Sequence, residues 1–369
     1  MTNVIITAPS LDPTQNVSGV SSVVNFIINN NPDVTYIHFE LGKKDKENGG
    51  LYRIKRIIKS YLKWRKLLAE NPDAIIHYSY PLSTFSIIRD FPFLSYCITN
   101  ERKLVIHIHG GLFLTNPKIP FYLKFILKKV FSWNVPFIVL GDSEIKILKN
   151  RFGAKIVHYL PNCAELKDAN EYAHETELIC DKPLTIGYLG RIEKNKGMTE
   201  LLCAFQTLQK EGIPFKLTFA GKEQNHDEYL SHFAQELGSK FHYAGLVSGK
   251  TKCDFLRCLD VFILPSYFEG LPMSLLECMS YGAVPIVTPV GSIPEVVKNG
   301  ENGLFIKIKD SDSIVKIIKE LNNNRPLAKK LGENARNTIF KNFSPQAYIK
   351  KLNEIYASLD NSAIRNLFH

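Results

Sequence analysis

Short apolar runs alternate with amphipathic segments along the whole chain, and most of these runs end at a glycine or a polar turn residue. Three of these apolar runs are Val4–Ala8, Leu184–Gly190 and Phe215–Gly221. This βα alternation is typical of a parallel sheet, because each connecting helix covers the sheet and returns the chain to start the next parallel strand. The sequence therefore predicts an α/β fold.

Two domains are expected, because 369 residues exceed what one ordinary compact core holds. The order strand, glycine-containing loop, helix opens both halves, as at the start of a Rossmann-like domain. A polar, irregular stretch at 163–181 suits a linker. We expect two Rossmann-like parallel-sheet domains (1–175 and 176–342) facing a deep interdomain cleft, and a C-terminal helix (343–369) packing back on the N-terminal domain.

Composition restricts the partners and the compartment. The net charge is +10, from 46 Lys and Arg against 36 Asp and Glu, which favours anionic partners. The seven cysteines form no CxxC and no metal-binding spacing, which indicates free thiols in a reducing compartment. The apolar run at the N-terminus is too short for a secretion signal, and no run reaches the ~20 residues of a membrane span. A cytoplasmic location is expected.

The stretch Pro265–Gly282 carries two carboxylates at a predicted helix start. Glu269 lies in a turn after an apolar strand, and Glu277 lies inside the helix that follows. Pro272 suits the first helical position, and Gly282 suits the left-handed residue after the helix. Free N–H groups attract anions there, while carboxylates accept hydrogen bonds from hydroxyls. The predicted N–H donors are Leu271, Met273 and Ser274.

Two cations flank the strand-to-helix connection of the second half. Arg191 supplies a planar fork and Lys196 a point charge, a pairing suited to a diphosphate. The glycines fit neither the P-loop pattern nor GxGxxG, so a dinucleotide cofactor is not supported. Together with the carboxylates, these cations predict a ligand that has both phosphates and sugar hydroxyls.

Candidate residues of the first half allow two interpretations each. Gly19, at a helix entrance, would admit a phosphate close to the backbone or would serve only as a turn residue. His109, followed by two glycines at a strand end, would face a ligand or be structural, whereas His107 is interpreted as structural. No third ligand accompanies these histidines, and Asp310 and Asp312 are interpreted as helix-cap residues, so no metal is expected.

A basic amphipathic helix is predicted from Leu51 to Leu68. One face carries apolar residues, including Ile54, Ile58 and Trp64, and the other is basic, with no acidic residue from Arg53 to Lys66. Such a helix suits an anionic membrane surface, or it is a core-facing helix with a solvated basic face. Ile119–Trp133 is a second candidate. The membrane contacts would be Arg53, Arg56, Lys59 and Lys63.

In combination, these motifs resemble the retaining glycosyltransferases of family 4, within glycosyl transferases group 1. The resemblance is strongest at Gly187–Arg191 with Lys196-Gly197, at Phe219–Gly221, at Asp260–Ser266, at Glu269-x7-Glu277, and at Gly291 with Glu295. The first half matches in outline, at Ser18–Val20 and His109–Gly111. The resemblance implies the GT-B fold, with an N-terminal acceptor domain and a C-terminal nucleotide-sugar domain, and it implies no metal or other cofactor.

The resemblance also implies residue roles. Arg191 and Lys196 would hold the donor diphosphate, Glu277 the ribose hydroxyls, and Glu269 the donor sugar. His109 would help position the sugar or the acceptor. The catalytic set would be His109, Arg191, Lys196 and Glu269. The donor-binding set would be Gly19, Arg191, Lys196, Gly221, Val247, Glu269, Gly270, Leu271, Pro272, Met273, Ser274 and Glu277.

Three functions are weighed. The first is transfer of a hexose or N-acetylhexosamine, from a UDP-sugar in preference to a GDP-sugar, to a lipid-linked, lipopolysaccharide or capsule-type glycan at the inner face of the plasma membrane. The second is a related epimerase or phosphorylase, which would turn over nucleotide sugar without an acceptor or depend on free phosphate. The third is a non-enzymatic protein that binds sugar or nucleic acid, but no array of stacking aromatics accompanies the basic residues, so nucleic acid is not expected as a partner.

Overall fold

The computed structural model describes residues 2–12, 15–16, 18–42, 51–116, 118–171, 182–224 and 228–360. The charged loop expected after Gly42, up to Gly50, and the second part of the expected linker, 172–181, lie outside these residues. The chain forms two compact units. Unit 1 comprises residues up to Asn162 together with the chain from Gln346, and unit 2 comprises Cys163–Pro345.

Unit 1 is built on a parallel six-stranded sheet of order β2-β1-β3-β4-β5-β6. Its central strands are fully buried and mostly apolar, as expected for strands covered by helices on both faces. The strands are β1 (Thr2–Ala8), β2 (Val34–Glu40), β3 (Ile75–Ser79), β4 (Leu104–His107), β5 (Pro136–Val139) and β6 (Ile156–Tyr159). The helices are α1 (Gly19–Asn30), α2 (Leu51–Glu70), α3 (Thr84–Thr99), α4 (Leu112–Thr115), α5 (Phe121–Phe131) and α6 (Asp142–Ile147), with a π-helical turn at Leu148–Phe152.

Unit 2 contains a second parallel six-stranded sheet, of order β12-β11-β10-β7-β8-β9. The strands are β7 (Leu184–Leu189), β8 (Phe215–Ala220), β9 (Phe241–Tyr243), β10 (Val261–Leu264), β11 (Val284–Val287) and β12 (Leu304–Phe305). The helices are α7 (Lys167–Glu171), α8 (Met198–Lys210), α9 (Tyr229–Leu237), α10 (Gly249–Arg257), α11 (Met273–Ser280), α12 (Ile293–Val296), α13 (Ser311–Asn323) and α14 (Arg325–Asn342). The prediction of two parallel-sheet α/β domains is confirmed.

The last described helix, α15 (Pro345–Asp360), belongs to unit 1 from Gln346 onward. Its buried face includes Tyr348 and Tyr356, and the Tyr348 ring packs edge-on against Phe26 of α1. Polar contacts add to this packing: the amides of Asn353 and Asn31 donate to each other's oxygens at 3.1 and 2.8 Å. Unit 1 is therefore assembled from two separate parts of the chain.

The first domain boundary lies earlier than the sequence indicates, between Asn162 and Cys163 and not after residue 175. Helix α7 groups with unit 2 because both its backbone and a side chain are hydrogen-bonded there. The Arg336 guanidinium donates to the Ala169 carbonyl at 2.8 Å, and the Cys253 thiol donates to the Asp168 carboxylate at 3.3 Å.

Helix α3 was not predicted. Pro92 lies in its interior, where it removes one backbone hydrogen bond. A capping box between Ser83 and Ser86 stabilises the N-terminus of the helix, and Phe93, Leu94 and Cys97 are buried in the core. Tertiary packing therefore holds a helix that its sequence favours only weakly. Over the described residues, no helix combines the length and the apolar character needed to cross a bilayer.

Candidate functional site

The strand order of unit 2 places a switch point between its two central strands. If the six strands are renumbered in chain order, with β7 as 1 and β10 as 4, the sheet has the order 3-2-1-4-5-6. The connection after β7 therefore runs toward one edge of the sheet, and the connection after β10 runs toward the other. Ligands of open α/β sheets bind outside the carboxyl ends of the strands at this point. Arg191 follows β7, and Glu269 lies in the loop that follows β10. Two predicted site residues therefore lie where this topology places a ligand.

Lys196 and Glu269 form an ion pair at this edge of the sheet. The Lys196 ammonium lies 2.5 Å from the Glu269 carboxylate, and the side chains are only 15% and 11% exposed. The loops that carry them are also joined through backbone, because the Tyr267 N–H donates to the Asn195 carbonyl at 3.0 Å. If Lys196 binds a phosphate, its ammonium would contact both that phosphate and the Glu269 carboxylate. Glu269 is the carboxylate expected to accept a hydrogen bond from a sugar hydroxyl.

Two glycines allow these loops to approach each other. Gly197 (φ 76°) ends the short helical turn of Lys196, and an added Cβ would lie 2.3 Å from the Pro265 carbonyl oxygen. Gly291 (φ 57°) approaches the loop from β11, and its Cβ would lie 2.2 Å from the Glu269 carbonyl oxygen. Positive φ and backbone contact together exclude other residues at both positions. The glycines therefore fix the separation of Lys196 and Glu269.

Arg191 is the more accessible cation. Its side chain is 46% exposed, and its guanidinium lies 3.6 Å from the Glu193 carboxylate. The Tyr188 hydroxyl donates to the Arg191 carbonyl at 2.5 Å, which fixes the backbone after β7. An exposed guanidinium on a fixed backbone can bind a phosphate without breaking a buried pair.

The start of α11 offers backbone donors, but one residue later than predicted. Pro272 is the N-cap in an extended conformation (φ −67°, ψ 129°), so the helix begins at Met273. Proline has no side-chain acceptor for the N–H groups of Met273 and Ser274, which leaves these groups for a ligand. The Leu271 N–H precedes the helix. Gly282 has φ 84° after the helix end, as predicted.

Glu277, the second carboxylate, pairs with a lysine that the sequence analysis did not single out. Lys252 of α10 donates to the Glu277 carboxylate at 2.8 Å, with side chains 31% and 13% exposed. Burial is the largest single effect and lowers the pKa of Lys252, but attraction to Glu277, the hydrogen bond to Glu277 and smaller contributions from Glu165 and Cys253 together raise it above the ordinary value. Each carboxylate of the Glu269-x7-Glu277 motif therefore has a lysine partner.

Gly221 directly follows β8, and Val247 lies in the loop between β9 and α10. Gly221 (φ 137°) lies so close to Gly190 that a Cβ would clash with its carbonyl. The Tyr243 hydroxyl donates to the Gly221 carbonyl at 2.7 Å. Val247 is half-buried and immediately precedes Ser248, the N-cap of α10. The predicted donor residues of unit 2 thus lie in the loops and helices that follow β7, β8, β9 and β10.

In unit 1, His109 ends a row of three histidines. The His107 and His109 rings stack with centroids 4.0 Å apart, and the His109 Nε2 lies 3.3 Å from the Ser79 hydroxyl. His107 is fully buried, and its Nδ1 lies 3.0 Å from His77 Nε2. The His77 Nδ1 lies 2.6 Å from the Tyr356 hydroxyl of α15. His109 is partly exposed, whereas His107 is part of the core.

Burial keeps these histidines neutral. It lowers the pKa of His77 to about 3, with a smaller contribution from His109. It lowers the pKa of His107 well below the ordinary value, with smaller contributions from His109 and His77. The pKa of His109 is also lowered, to about 3. Such groups can donate or accept a hydrogen bond through their neutral rings, but they do not supply positive charge near pH 7.

Gly19 is the first residue of α1 and not part of a turn. An added Cβ would meet no atom within 4 Å among the described residues, so the neighbouring chain leaves space at this helix start. A metal site is not evident: the described residues contain no group of three His, Cys, Asp or Glu suited to hold an ion. Asp310 caps α13 by accepting from the Ser313 N–H at 3.0 Å, as predicted.

The predicted basic helix α2 contains an exposed apolar stripe. Trp64 is fully buried, but Ile54, Ile58 and Leu62 are 55 to 57% exposed. Ile54 and Ile58 therefore do not face the core, because the stripe that packs inward is the one through Ile57, Tyr61, Trp64 and Leu68. Lys59 and Lys63 are exposed.

Arg53 and Arg56, the other two predicted membrane contacts, are half-buried and interact with the protein. The Arg53 guanidinium stacks 3.6 Å over the Phe85 ring of α3, and Arg56 donates to the Gly42 carbonyl at 2.7 Å.

Helix α5, the second candidate, exposes large aromatic residues beside lysines. Phe121 is 85% exposed, Phe125 73% and Tyr122 44%. At helical spacing, Lys124, Lys128 and Lys129 share this outer face, and all three are exposed. Helix α3, which packs against both α2 and α5, adds exposed Phe85 and Ile88.

Comparison with known proteins gives three kinds of similarity. The family model described as glycosyl transferases group 1 matches residues 170–338. An uncharacterized glycosyltransferase of Methanocaldococcus jannaschii is 27% identical over 275 residues, covering 71% of this chain and 70% of that protein. A lipopolysaccharide 1,2-N-acetylglucosaminetransferase of Salmonella typhimurium is 26% identical over 68% of this chain and 66% of that protein. Other curated matches span about half of each protein.

Solved structures share the whole fold. Sucrose-phosphate synthase from Thermosynechococcus elongatus matches with a TM-score of 0.78 at 16% identity, covering 98% of this chain and all of that one. HepE from Anabaena, solved with UDP-glucose, matches with a TM-score of 0.73 at 13% identity, covering 97% and 100%. These likenesses confirm the predicted GT-B-type architecture.

Proposed function

We propose that this chain transfers a sugar from a nucleotide sugar to a glycan hydroxyl, and the match of residues 170–338 to the family model of glycosyl transferases group 1 supports this. The donor proposed is a UDP-linked hexose or N-acetylhexosamine, in preference to a GDP-sugar. The acceptor proposed is a lipid-linked, lipopolysaccharide or capsule-type glycan. HepE, which shares the fold, was solved with UDP-glucose, and the Salmonella relative is named for a lipopolysaccharide acceptor.

One observation carries this proposal: Arg191, Lys196 and Glu269 lie in the loops at the switch point of unit 2, and Glu277 lies in α11, the helix that follows. Arg191 and Lys196 would hold the diphosphate, since cations and helix N–H groups bind phosphates. Glu277 would accept hydrogen bonds from the ribose hydroxyls, and Glu269 would accept them from the donor sugar. A dinucleotide cofactor would not require a second carboxylate beside the cations that bind its phosphates.

The proposed chemistry places the reaction's charge on the phosphates. Breaking the bond between the anomeric carbon and the phosphate oxygen leaves both bonding electrons on the diphosphate. Fixed cations at Arg191 and Lys196 lower the barrier by stabilising this developing charge. The acceptor hydroxyl attacks from the same face, its oxygen bonds to the anomeric carbon, and its proton passes to the leaving phosphate, so the configuration is retained. This route needs no protein nucleophile and no metal.

Screening nucleotide sugars by thermal shift would test the proposal. A donor that binds only the folded state at 100 times its Kd stabilises the protein by about 2.7 kcal/mol. We expect UDP-sugars to raise the Tm, and the stabilising donor to be consumed only when an acceptor glycan is present. No shift with any UDP- or GDP-sugar would contradict the proposal. Turnover without acceptor, or dependence on free phosphate, would favour the epimerase or phosphorylase.

We further propose that α2, α3 and α5 contact an anionic membrane surface. Exposed aromatics beside lysines suit the interfacial region, where rings insert and ammonium groups meet lipid phosphates. Lys59 and Lys63 are exposed for this role, while Arg53 and Arg56 would contribute from positions at which they also hold the protein. This surface would bring the enzyme to a lipid-linked acceptor.

Replacing both Phe121 and Phe125 by serine is expected to weaken binding to vesicles containing anionic lipid about tenfold or more, since each buried ring contributes of order 1 kcal/mol. Cosedimentation with vesicles of phosphatidylcholine and phosphatidylglycerol would measure it. Ile308, 46% exposed in unit 2, offers a control, and Ile308→Ser should bind as the wild type does. Equal binding by all three proteins would rule out this membrane surface.

A further inference from the structure

Lys252 is the cation of the unit 2 site that the proposed chemistry does not yet use. It lies in the first turn of α10, four residues after the N-cap Ser248, and so directly beyond Val247 at the expected base-binding edge. Its ammonium lies 2.8 Å from the Glu277 carboxylate, and Glu277 is only 13% exposed. The pair links the helix that follows β9 to the helix that follows β10.

We propose that Lys252 is a positioning residue for the nucleotide, which acts by holding the Glu277 carboxylate in the orientation that accepts from the ribose hydroxyls. This inference rests on the proposed function. Glu277 has several rotatable bonds, and one fixed oxygen, Oε1, restrains the direction of the other. A restrained carboxylate loses less conformational freedom when it binds a hydroxyl pair.

The positive charge of Lys252 would also favour nucleotide binding. The other two carboxylates of the site are each near a cation, Glu193 near Arg191 and Glu269 near Lys196. Without Lys252, Glu277 would present an uncompensated negative charge to a ligand whose phosphates are also negative. Removing one partner of a largely buried pair is costly, since the remaining charge keeps its desolvation penalty.

Binding of UDP and GDP, measured by calorimetry, would test the inference. Whichever nucleotide the wild type binds should bind Lys252→Met about tenfold more weakly, and Lys252→Arg should recover most of the loss. Lys250 lies in the same first turn and is exposed, so Lys250→Met should bind like the wild type. A uniform loss in all three variants, or none in Lys252→Met, would overturn the role of Lys252.

A double-mutant cycle separates positioning from a general effect on the fold. In a Glu277→Gln background there is no carboxylate to hold, so adding Lys252→Met should change the nucleotide Kd less than twofold. A tenfold loss in that background as well would show that Lys252 acts independently of Glu277 and would overturn the inference. Failure of the wild type to bind either nucleotide would instead refute the proposed function itself.

Discussion

Lys196→Met is expected to lower sugar transfer about 10³-fold, since a fixed charge that meets the developing negative charge contributes 10²–10³ in rate. Methionine keeps the length of the side chain and removes only the ammonium. The variant also leaves Glu269, 11% exposed, without its partner 2.5 Å away, so a negative carboxylate would face the diphosphate. Loss of attraction and gain of repulsion act in the same direction.

Lys194 provides the matched control, because it lies in the same short helical turn and is exposed. Lys194→Met should transfer sugar at the wild-type rate, and Lys196→Arg should recover part of the activity. Initial rates at saturating donor, with the Tm of each variant checked, would make the comparison. A Lys196→Met enzyme that keeps a tenth or more of its activity would remove Lys196 from the proposed chemistry.

Unit 1 is expected to lose about 4 kcal/mol of unfolding free energy between pH 7 and pH 5 through His77 and His107 alone. Both are fully buried, and their folded pKa values lie below the unfolded value near 6.5. The folded state therefore binds fewer protons, and stability present above pH 6.5 is lost as the pH falls. Such a loss is large against a total of about 5–15 kcal/mol.

Tryptophan fluorescence would follow this loss in unit 1 alone, since the chain's two tryptophans, Trp64 and Trp133, both lie there. Urea unfolding at pH 7, 6 and 5 should give steadily lower midpoints. His107→Gln should flatten the dependence by about 1 kcal/mol per pH unit, which is half of the loss expected for the two histidines. His242→Gln, at an exposed position in unit 2, should not change it. Equal slopes in the wild type and His107→Gln would contradict the prediction.

The parallel sheets could be predicted because their strands are local signals. A buried strand such as Val261–Leu264 is apolar at every position, and its end is marked by proline or glycine. Gly282 was likewise predicted, since a helix end that needs φ > 0 favours glycine. The residues of the site at the carboxyl ends of β7 and β10 follow from the same signals once the strands are placed.

Other features depend on contacts that no local pattern encodes. Nothing in the sequence of α10 distinguishes Lys252 from Lys250, because only the packing of α10 beside α11 brings one of them to Glu277. Ile54 and Ile58 have the apolar character of core residues, yet the rotation of α2 on the sheet leaves them exposed. The roles of His109, Gly19 and the donor-binding residues stay predictions.

Because unit 1 is formed from two separate parts of the chain, it can complete its folding only late in synthesis. Unit 2 is continuous, so it can fold once Pro345 has left the ribosome. Unit 1 waits longer, because Tyr356 must arrive before His77 finds its partner and before Phe26 meets Tyr348. Unit 1 is thus completed after unit 2, and the faces of unit 1 that α15 covers stay uncovered during translation of the intervening unit.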